Sequence, residues 1–274
     1  LCPAMNTEMY NNPITQRNLE GLRSLGYHIM DPAEGWLACG ITGVGRLPEP
    51  EAIVDWLEAK MCSTNELEGT TILVTAGGTQ ESIDPVRYIG NRSSGKMGYA
   101  IAEQAAHMGA KVILVSAPTS LPIPSGVDFI SVDSAVSMQE AVEARYNDVN
   151  VVIMAAAVSD FRVLHKAEQK IKKMESMTIE LVKNPDILQG LGSKKSHQIL
   201  VGFAAETEHV IKYGQDKVAK KNLDMLVAND VSKSNAGFNV DTNEGYFLYP
   251  DKEPKEMPNM KKSDLARHIL REVI

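Results

Sequence analysis

Cysteine is scarce and scattered: Cys2, Cys39 and Cys62 are the only three in 274 residues. No two of them stand in a CxxC, which excludes a disulfide framework and a zinc site and points to the reducing cytosol. Long apolar runs are missing too. None approaches the ~20 residues of a membrane span, and the opening LCPAMNTEMYNNP lacks the basic start and apolar core of a signal peptide. Basic charge is in deficit, with 28 Lys and Arg against 35 Asp and Glu and a net charge of -7, which argues against general nucleic-acid binding. What remains is 43% hydrophobic and 23% charged, the composition of a soluble globular protein. A chain this long hides roughly 75% of its unfolded surface and can build a sizeable core without staples.

Residues 1–61 read poorly as a free-standing domain. Ile14–Leu25 has helical spacing and stops at Gly26. A short strand is expected at Tyr27–Met30, a glycine-rich turn at Cys39–Arg46 and a second helix at Glu51–Met61. Too few partners exist for these apolar faces. The chain also opens without Met inside a motif-like segment, so the expectation is the tail of a truncated upstream domain. The polar stretch 62–69 reads as a linker.

From Thr70 the pattern alternates. Buried-type strands are expected at Thr71–Thr75, Lys111–Ser116, Val127–Val132, Val149–Ala156, Ile199–Ala204 and Met225–Ala228. Helices are expected at Lys96–Met108, from Asp133 or Ser134 to Tyr146, at Pro185–Leu191 and at Thr207–Lys221. Continuous apolar strands between helices give an α/β fold with a doubly wound, mostly parallel, Rossmann-like sheet. Phe238–Pro250 alternates around Thr242-Asn-Glu-Gly245 and reads as a C-terminal hairpin extension, and Lys262–Ile274 as a closing amphipathic helix. In such folds ligands sit beyond the carboxyl ends of the strands, which selects the segments after Thr75, Ala156, Ala204 and Ala228.

Gly90-Asn-Arg-Ser-Ser-Gly95-Lys96-Met97 fits GxxxxGK but has Met where Ser or Thr would hold Mg²⁺, and it does not leave a strand directly, so it is not a Walker A loop. Ser93, Ser94 and Gly95 still precede a helix N-terminus, which attracts phosphate, and Gly77 and Gly78 end the first strand beside them. Lys166, Lys170, Lys172 and Lys173 fall in a loop long for a compact domain. A solvated face is the ordinary meaning of such a run; its place after a ligand-side strand end instead suggests a lysine lid over a triphosphate. Lys217 and Lys221 share a helix face, an arrangement that an anion between them would stabilise.

Taken together, Thr75-Ala-Gly-Gly-Thr-Gln-Glu81, Asp84-Pro-Val-Arg87, Asn91-Arg-Ser-Ser-Gly-Lys-Met-Gly98, Ala155-Ala-Ala-Val-Ser-Asp160, Lys170-Ile-Lys-Lys173, Asn184-Pro-Asp-Ile187 and Gly202-Phe-Ala-Ala-Glu-Thr207 resemble the phosphopantothenate–cysteine ligase domain of the bifunctional coenzyme A biosynthesis flavoproteins. The resemblance runs from about Gly69 to the C-terminus, giving a ligase domain at 70–274. Pro3-Ala-Met-Asn-Thr-Glu-Met9, with Tyr10 where Trp is common, and Gly35-Trp-Leu-Ala-Cys39-Gly-Ile-Thr-Gly-Val-Gly-Arg46 resemble the end of the other half, phosphopantothenoylcysteine decarboxylase. Asn6 would be its substrate residue and Cys39 its proton donor. That half uses FMN in the full-length protein. Its flavin-binding sheet and catalytic histidine are expected upstream of Leu1, so these residues alone should not decarboxylate.

The resemblance implies that the 4′-phosphopantothenate carboxylate attacks the α-phosphorus of CTP, and that cysteine then displaces CMP from the acyl-cytidylate. It implies Lys170 at the α-phosphate transition state and Asn91 on the acyl-cytidylate. Met154, Ala155, Ala156, Asp160, Asn184, Pro185, Asp186, Ile187, Phe203, Lys217 and Lys221 would form the nucleotide pocket. Gly77, Gly78, Asn91, Ser93, Ser94 and Gly95 would hold substrate phosphate. Mg²⁺ would bridge phosphate oxygens, with no metal-ligating residue in the chain singled out. Residues alone do not separate CTP from ATP; fusion to decarboxylase segments points to the bacterial, CTP-using type. The family also implies a homodimer through the ligase domain, and a larger homo-oligomer with the full decarboxylase domain. Two other classes are open. An NAD(P)-binding oxidoreductase needs GxGxxG after the first strand and an acidic end to the second; the turn here is Gly77-Gly-Thr and the second strand ends Ser116-Ala-Pro118. A non-catalytic nucleotide-binding assembly module would not need the Lys170–Lys173 lid.

Overall fold

The structure is a computed structural model and describes residues 1–62, 64–173, 175–206, 208–230 and 241–273. The chain forms two compact units, Leu1–Ser63 and Thr64–Ile274. In the first, Asn6 caps α1 (Thr7–Asn11) by accepting from the Glu8 and Met9 N–H groups. Asn12 caps α2 (Pro13–Ser24), which has proline in its first turn. Strands β1 (Ala33–Trp36) and β2 (Thr42–Arg46) pair antiparallel, and α3 (Pro50–Cys62) follows. No strand forms at Tyr27–Met30. Much of the glycine-rich segment read as a turn is instead strand β2. Its glycines serve close approach: a Cβ on Gly45 would collide with the Met5 carbonyl, and the Met5 N–H donates to Gly45 O at 2.8 Å.

The second unit begins earlier than the sequence suggests. Leu67 is only 1% exposed, and the Thr64 and Leu67 N–H groups donate to the carbonyls of His107 and Met108. Residues 64–69 therefore pack on this unit and do not act as a free linker. The elements that follow are β3 (Thr71–Ala76), β4 (Gln80–Ser82), β5 (Tyr88–Gly90), α4 (Lys96–His107), β6 (Lys111–Ser116), β7 (Val127–Ser131), α5 (Ala135–Glu143) and β8 (Val151–Met154). After these come β9 (Phe161–Val163), β10 (Leu181–Lys183), α6 (Ile187–Ser193), β11 (Ile199–Glu206), α7 (Val210–Lys221), β12 (Met225–Asp230), β13 (Thr242–Leu248), β14 (Lys255–Lys261) and α8 (Lys262–Glu272).

Eight strands form one sheet in the order β14-β13-β12-β11-β8-β3-β6-β7. The strands from β7 to β12 are parallel, and β13 and β14 add an antiparallel pair. Both faces are covered, which explains why the strands are apolar throughout. Ile72, Val74 and Ala76 of β3 pack with α4 and α8, whereas Leu73 packs on the opposite face with α5 to α7. Ser134 caps α5 in a reciprocal capping box with Ser137.

The C-terminal hairpin is real but its turn is elsewhere. Thr242–Gly245 lies inside β13, and the chain reverses between Leu248 and Lys255. Residues 238–240 of the expected hairpin lie outside the described residues. Gly245 is not a turn glycine: it lies against the Ala228 carbonyl on β12, where any Cβ would collide.

Helix α4 meets β3 through Gly98, where a Cβ would sit 2.6 Å from Ala76 Cβ and 2.8 Å from Thr75 O. Gly98→Ala should therefore destabilise by about 1–3 kcal/mol through overpacking, despite the better helix propensity of alanine. A denaturant titration would read this as a lower midpoint at unchanged slope. An equal or higher midpoint would mean that the helix can shift.

Candidate active site

The chain leaves β3 for β6 on one side and returns to β8 on the other. The order of strands therefore reverses at β3, and a crevice opens beyond the carboxyl ends of β3 and β8. Its floor is well tied. Thr75 Oγ1 accepts from the Ala156 N–H at 3.1 Å, and Thr79 Oγ1 from the Ser159 N–H at 2.9 Å. Gly77 takes positive φ, its carbonyl accepts from the Ala157 N–H at 2.8 Å, and the Ala157 carbonyl accepts from the Thr79 N–H at 3.2 Å.

Over this floor lies a cavity of about 320 Å³. Asn91, Ser93, Ser94 and Gly95 line one wall, and Ala155, Ala156 and Asp160 the floor. Phe203 and Lys217 close it from β11 and α7. A second cavity, of about 240 Å³, shares Ala156, Asp160 and Phe203 with the first and adds Met154, Asn184, Pro185, Asp186, Ile187 and Lys221. Gly78 lines a third space with Asn91, Ser93 and Ser94. The fold thus gathers most of the residues singled out in the sequence into one connected groove.

Within that groove the side chains divide by role. Asn91 Nδ2 donates to Val158 O at 3.1 Å across the crevice. Asn184 is 5% exposed; its side chain donates to Ser159 O and accepts from Arg162, so it fixes the wall. Asp186 caps α6 through the Gln189 N–H and pairs with Lys221 Nζ at 2.9 Å. Burial works against its ionisation, but the Lys221 ammonium and the Gln189 N–H outweigh it and hold the carboxyl below its ordinary value. Lys217 and Lys221 are therefore not a matched pair around one anion: Lys217 faces the first cavity, while Lys221 is engaged by Asp186 in the second.

Lys170 is not among these lining residues. It is exposed, and its segment runs along the β4–β5 hairpin. The Ala167 N–H donates to Ile83 O, the Ile171 N–H to Asp84 Oδ2 at 3.1 Å, and Arg87 Nη2 to Ile171 O at 3.0 Å. Arg87 also bridges Asp84, and this guanidinium, with backbone N–H groups, holds the Asp84 carboxyl well below the usual carboxylate range. The segment is anchored, not loose, and Lys170 would reach the groove only by movement of the residues around it.

Four further lining residues carry no site role assigned from the sequence: Lys96, Asn229, Asn243 and Lys262. They stand at the first turns of α4 and α8 and at the groove ends of β12 and β13. In the first unit, Asn6 and Cys39 come together. Asn6 Nδ2 lies 3.6 Å from Cys39 Sγ, and both line a cavity of about 390 Å³. Thr207 lies outside the described residues.

Among the described residues no three His, Cys, Asp or Glu side chains converge as a metal site, and no helix is long and apolar enough to cross a membrane.

A two-part chain with these features belongs to a known class. Residues 67–274 match the DNA/pantothenate metabolism flavoprotein C-terminal domain, and residues 1–62 match the Flavoprotein family. The chain belongs to the family of the coenzyme A biosynthesis bifunctional proteins CoaBC. It is 48% identical to the CoaBC protein of Bacillus subtilis, over 100% of this chain and 68% of that one. It is 46% identical to CoaBC of Escherichia coli K12, over 99% of this chain and 68% of the relative. The crystal structure of the C-terminal domain of a CoaBC protein superposes with a TM-score of 0.67 at 45% identity, covering 77% of this chain and 96% of that structure.

Proposed function

We propose that residues 70–274 ligate 4′-phosphopantothenate to cysteine in coenzyme A biosynthesis, with CTP as the activating nucleotide. The observation that carries this is the single groove at the strand-order reversal, where Asn91, Ser93, Gly95, Asp160, Phe203 and Lys217 meet. A carboxylate does not acylate an amine unaided, so it first needs a leaving group. Its oxygen attacks the α-phosphorus, the bond to the β-phosphate oxygen breaks, and pyrophosphate departs. The cysteine amine then attacks the acyl carbon. The new C–N bond replaces the C–O bond to CMP, and the amine proton is released to water.

In this reading the backbone after β8 and Asp160 hold the nucleoside, and the Asn184–Ile187 turn and Lys221 wall it in. The Ser93–Gly95 turn opens α4, whose cap Gly95 offers no side-chain cap, so its N-terminal dipole serves phosphate. Mg²⁺ would come with the nucleotide and supply charge neutralisation at the phosphates; among the described residues no cluster of three ligating side chains is present to hold it.

The first unit, with Asn6 beside Cys39, is read as the substrate-facing tail of the decarboxylase half. FMN supplies the redox chemistry of that half in the full-length protein, and Cys39 would return a proton to the product. The protein is read as cytoplasmic and as a homodimer through the ligase domain, larger when the decarboxylase domain is complete.

The test is pyrophosphate release by this chain with 4′-phosphopantothenate and Mg²⁺ plus CTP or ATP, before and after cysteine. Release with CTP that becomes multiple-turnover with cysteine is the expected result. Release with ATP alone would overturn the nucleotide assignment, and silence with both would favour a binding module.

A further inference from the structure

Residues 155–160 leave β8 as irregular backbone, yet they form the floor that the two main cavities share. Ala155, Ala156, Ala157 and Val158 carry no polar side-chain group. Ser159 is 5% exposed and directs its hydroxyl at Thr79 O. The hydrogen-bonding groups this floor can show a ligand are therefore its peptide units and the Asp160 carboxylate. Outside a strand no ladder fixes the planes of those peptides, so side chains must do it.

Three side chains do. The Val158–Ser159 peptide is held at both ends: Asn91 Nδ2 donates to Val158 O at 3.1 Å, and the Ser159 N–H donates to Thr79 Oγ1 at 2.9 Å. The next peptide is held at its carbonyl, where Asn184 Nδ2 donates to Ser159 O at 2.9 Å. Asn91 lines the first cavity and Asn184 the second, whereas Thr79 lines neither. Thr79 is 0% exposed and firmly mounted. Its own N–H donates to Ala157 O at 3.2 Å, and the Gln80 N–H donates to Asp133 O at 2.7 Å. Glu81 Oε1 accepts from the N–H of Ala135, the first residue of α5, at 2.9 Å. Strand β4 is thus tied to α5 from behind, and the residue before it presents a hydroxyl to the floor from a fixed place.

We propose that Thr79 is a positioning residue for the nucleotide: its hydroxyl sets the plane of the Val158–Ser159 peptide and, through it, the direction of Asp160. This rests on the ligase reading given above. Threonine suits the task, because a hydroxyl accepts the N–H without adding negative charge beside a triphosphate, and a β-branched side chain has few rotamers to lose.

The test separates the hydroxyl from the packing. Thr79→Val keeps the shape and leaves the buried Ser159 N–H without its acceptor. Thr79→Ser keeps the acceptor and removes a buried methyl, which lowers stability on its own account. Both variants should melt at lower temperature. Only Val should raise the KM for CTP, about tenfold, the loss of one well-placed hydrogen bond; Ser should stay within about twofold. The KM for cysteine, which enters in the second step, should stay within about twofold in both. An unchanged CTP KM in Val, or a rise in Ser equal to that in Val, overturns the assignment and leaves Thr79 a packing residue. A second measurement needs no variant. In the unmodified chain the Ser159 N–H should exchange slowly with deuterium before any nucleotide is added, since its bond to Thr79 exists without ligand. Fast exchange that slows only with MgCTP would mean that the nucleotide orders the floor, and overturns the assignment equally. No pyrophosphate release by the unmodified chain would fell the ligase reading itself, a result distinct from all of these.

Discussion

Lys170→Gln should slow CTP-dependent pyrophosphate release by about 10²–10³-fold, the usual loss when one preorganised charge or donor is removed from a transition state. Its melting temperature should not move, because Lys170 is exposed and the bonds that fix its segment come from neighbouring backbone groups and from Asp84 and Arg87. Glutamine keeps most of the length and a donor but loses the ammonium, so the substitution isolates charge. Lys170→Arg should retain more activity than Gln, although the planar fork is not the compact point charge of lysine. Because Lys170 does not line the groove in this structure, the assignment also requires closure of the segment on the bound nucleotide. Protection of 166–173 from proteolysis should therefore rise when MgCTP is added. Release at a near-unmodified rate in Lys170→Gln would remove this residue from the first step, and loss matched by a fall in melting temperature would reassign it to structure.

The sheet was legible because its central strands are buried on both faces. Ile72–Val74, Val112–Val115 and Val151–Ile153 are continuous apolar runs, and no other element gives that pattern between helices. Glycine misled in two places for one reason. Gly45 and Gly245 lie in strands and admit a crossing backbone, but composition alone does not separate such a glycine from a turn glycine. Leu67 sat in a polar stretch and was hidden by it, since one apolar residue among charges carries no periodicity. The groove itself followed from motifs at the strand ends. Asn229, Asn243 and Lys262 did not, because amides and lysines ordinarily read as solvated. A usable signal was present: Asn229 continues the apolar run of β12 in a parallel strand, and Asn243 falls on the inward positions of β13 that also carry Phe247.

Asn91→Asp should act on the second step. When the cysteine amine attacks the acyl carbon, negative charge develops on the former carbonyl oxygen, and a positioned N–H donor stabilises it. Asn91 Nδ2, held at the mouth of the crevice by its bond to Val158 O, has a second hydrogen for that purpose. Aspartate removes both N–H bonds, sets a carboxylate oxygen against the Val158 carbonyl and brings negative charge beside an acyl phosphate. In the proposed reaction the first step would draw on Lys170 and the helix N-terminus, and would be less exposed to the change. Rapid quench should therefore find pyrophosphate formed with acyl-cytidylate accumulating on the protein, and cysteine-dependent CMP release slowed by about 10²-fold or more. This loss should persist at saturating cysteine, which separates it from weakened cysteine binding. Cysteine transfer at the ordinary rate, with no intermediate captured, would leave Asn91 with only its structural bond to Val158.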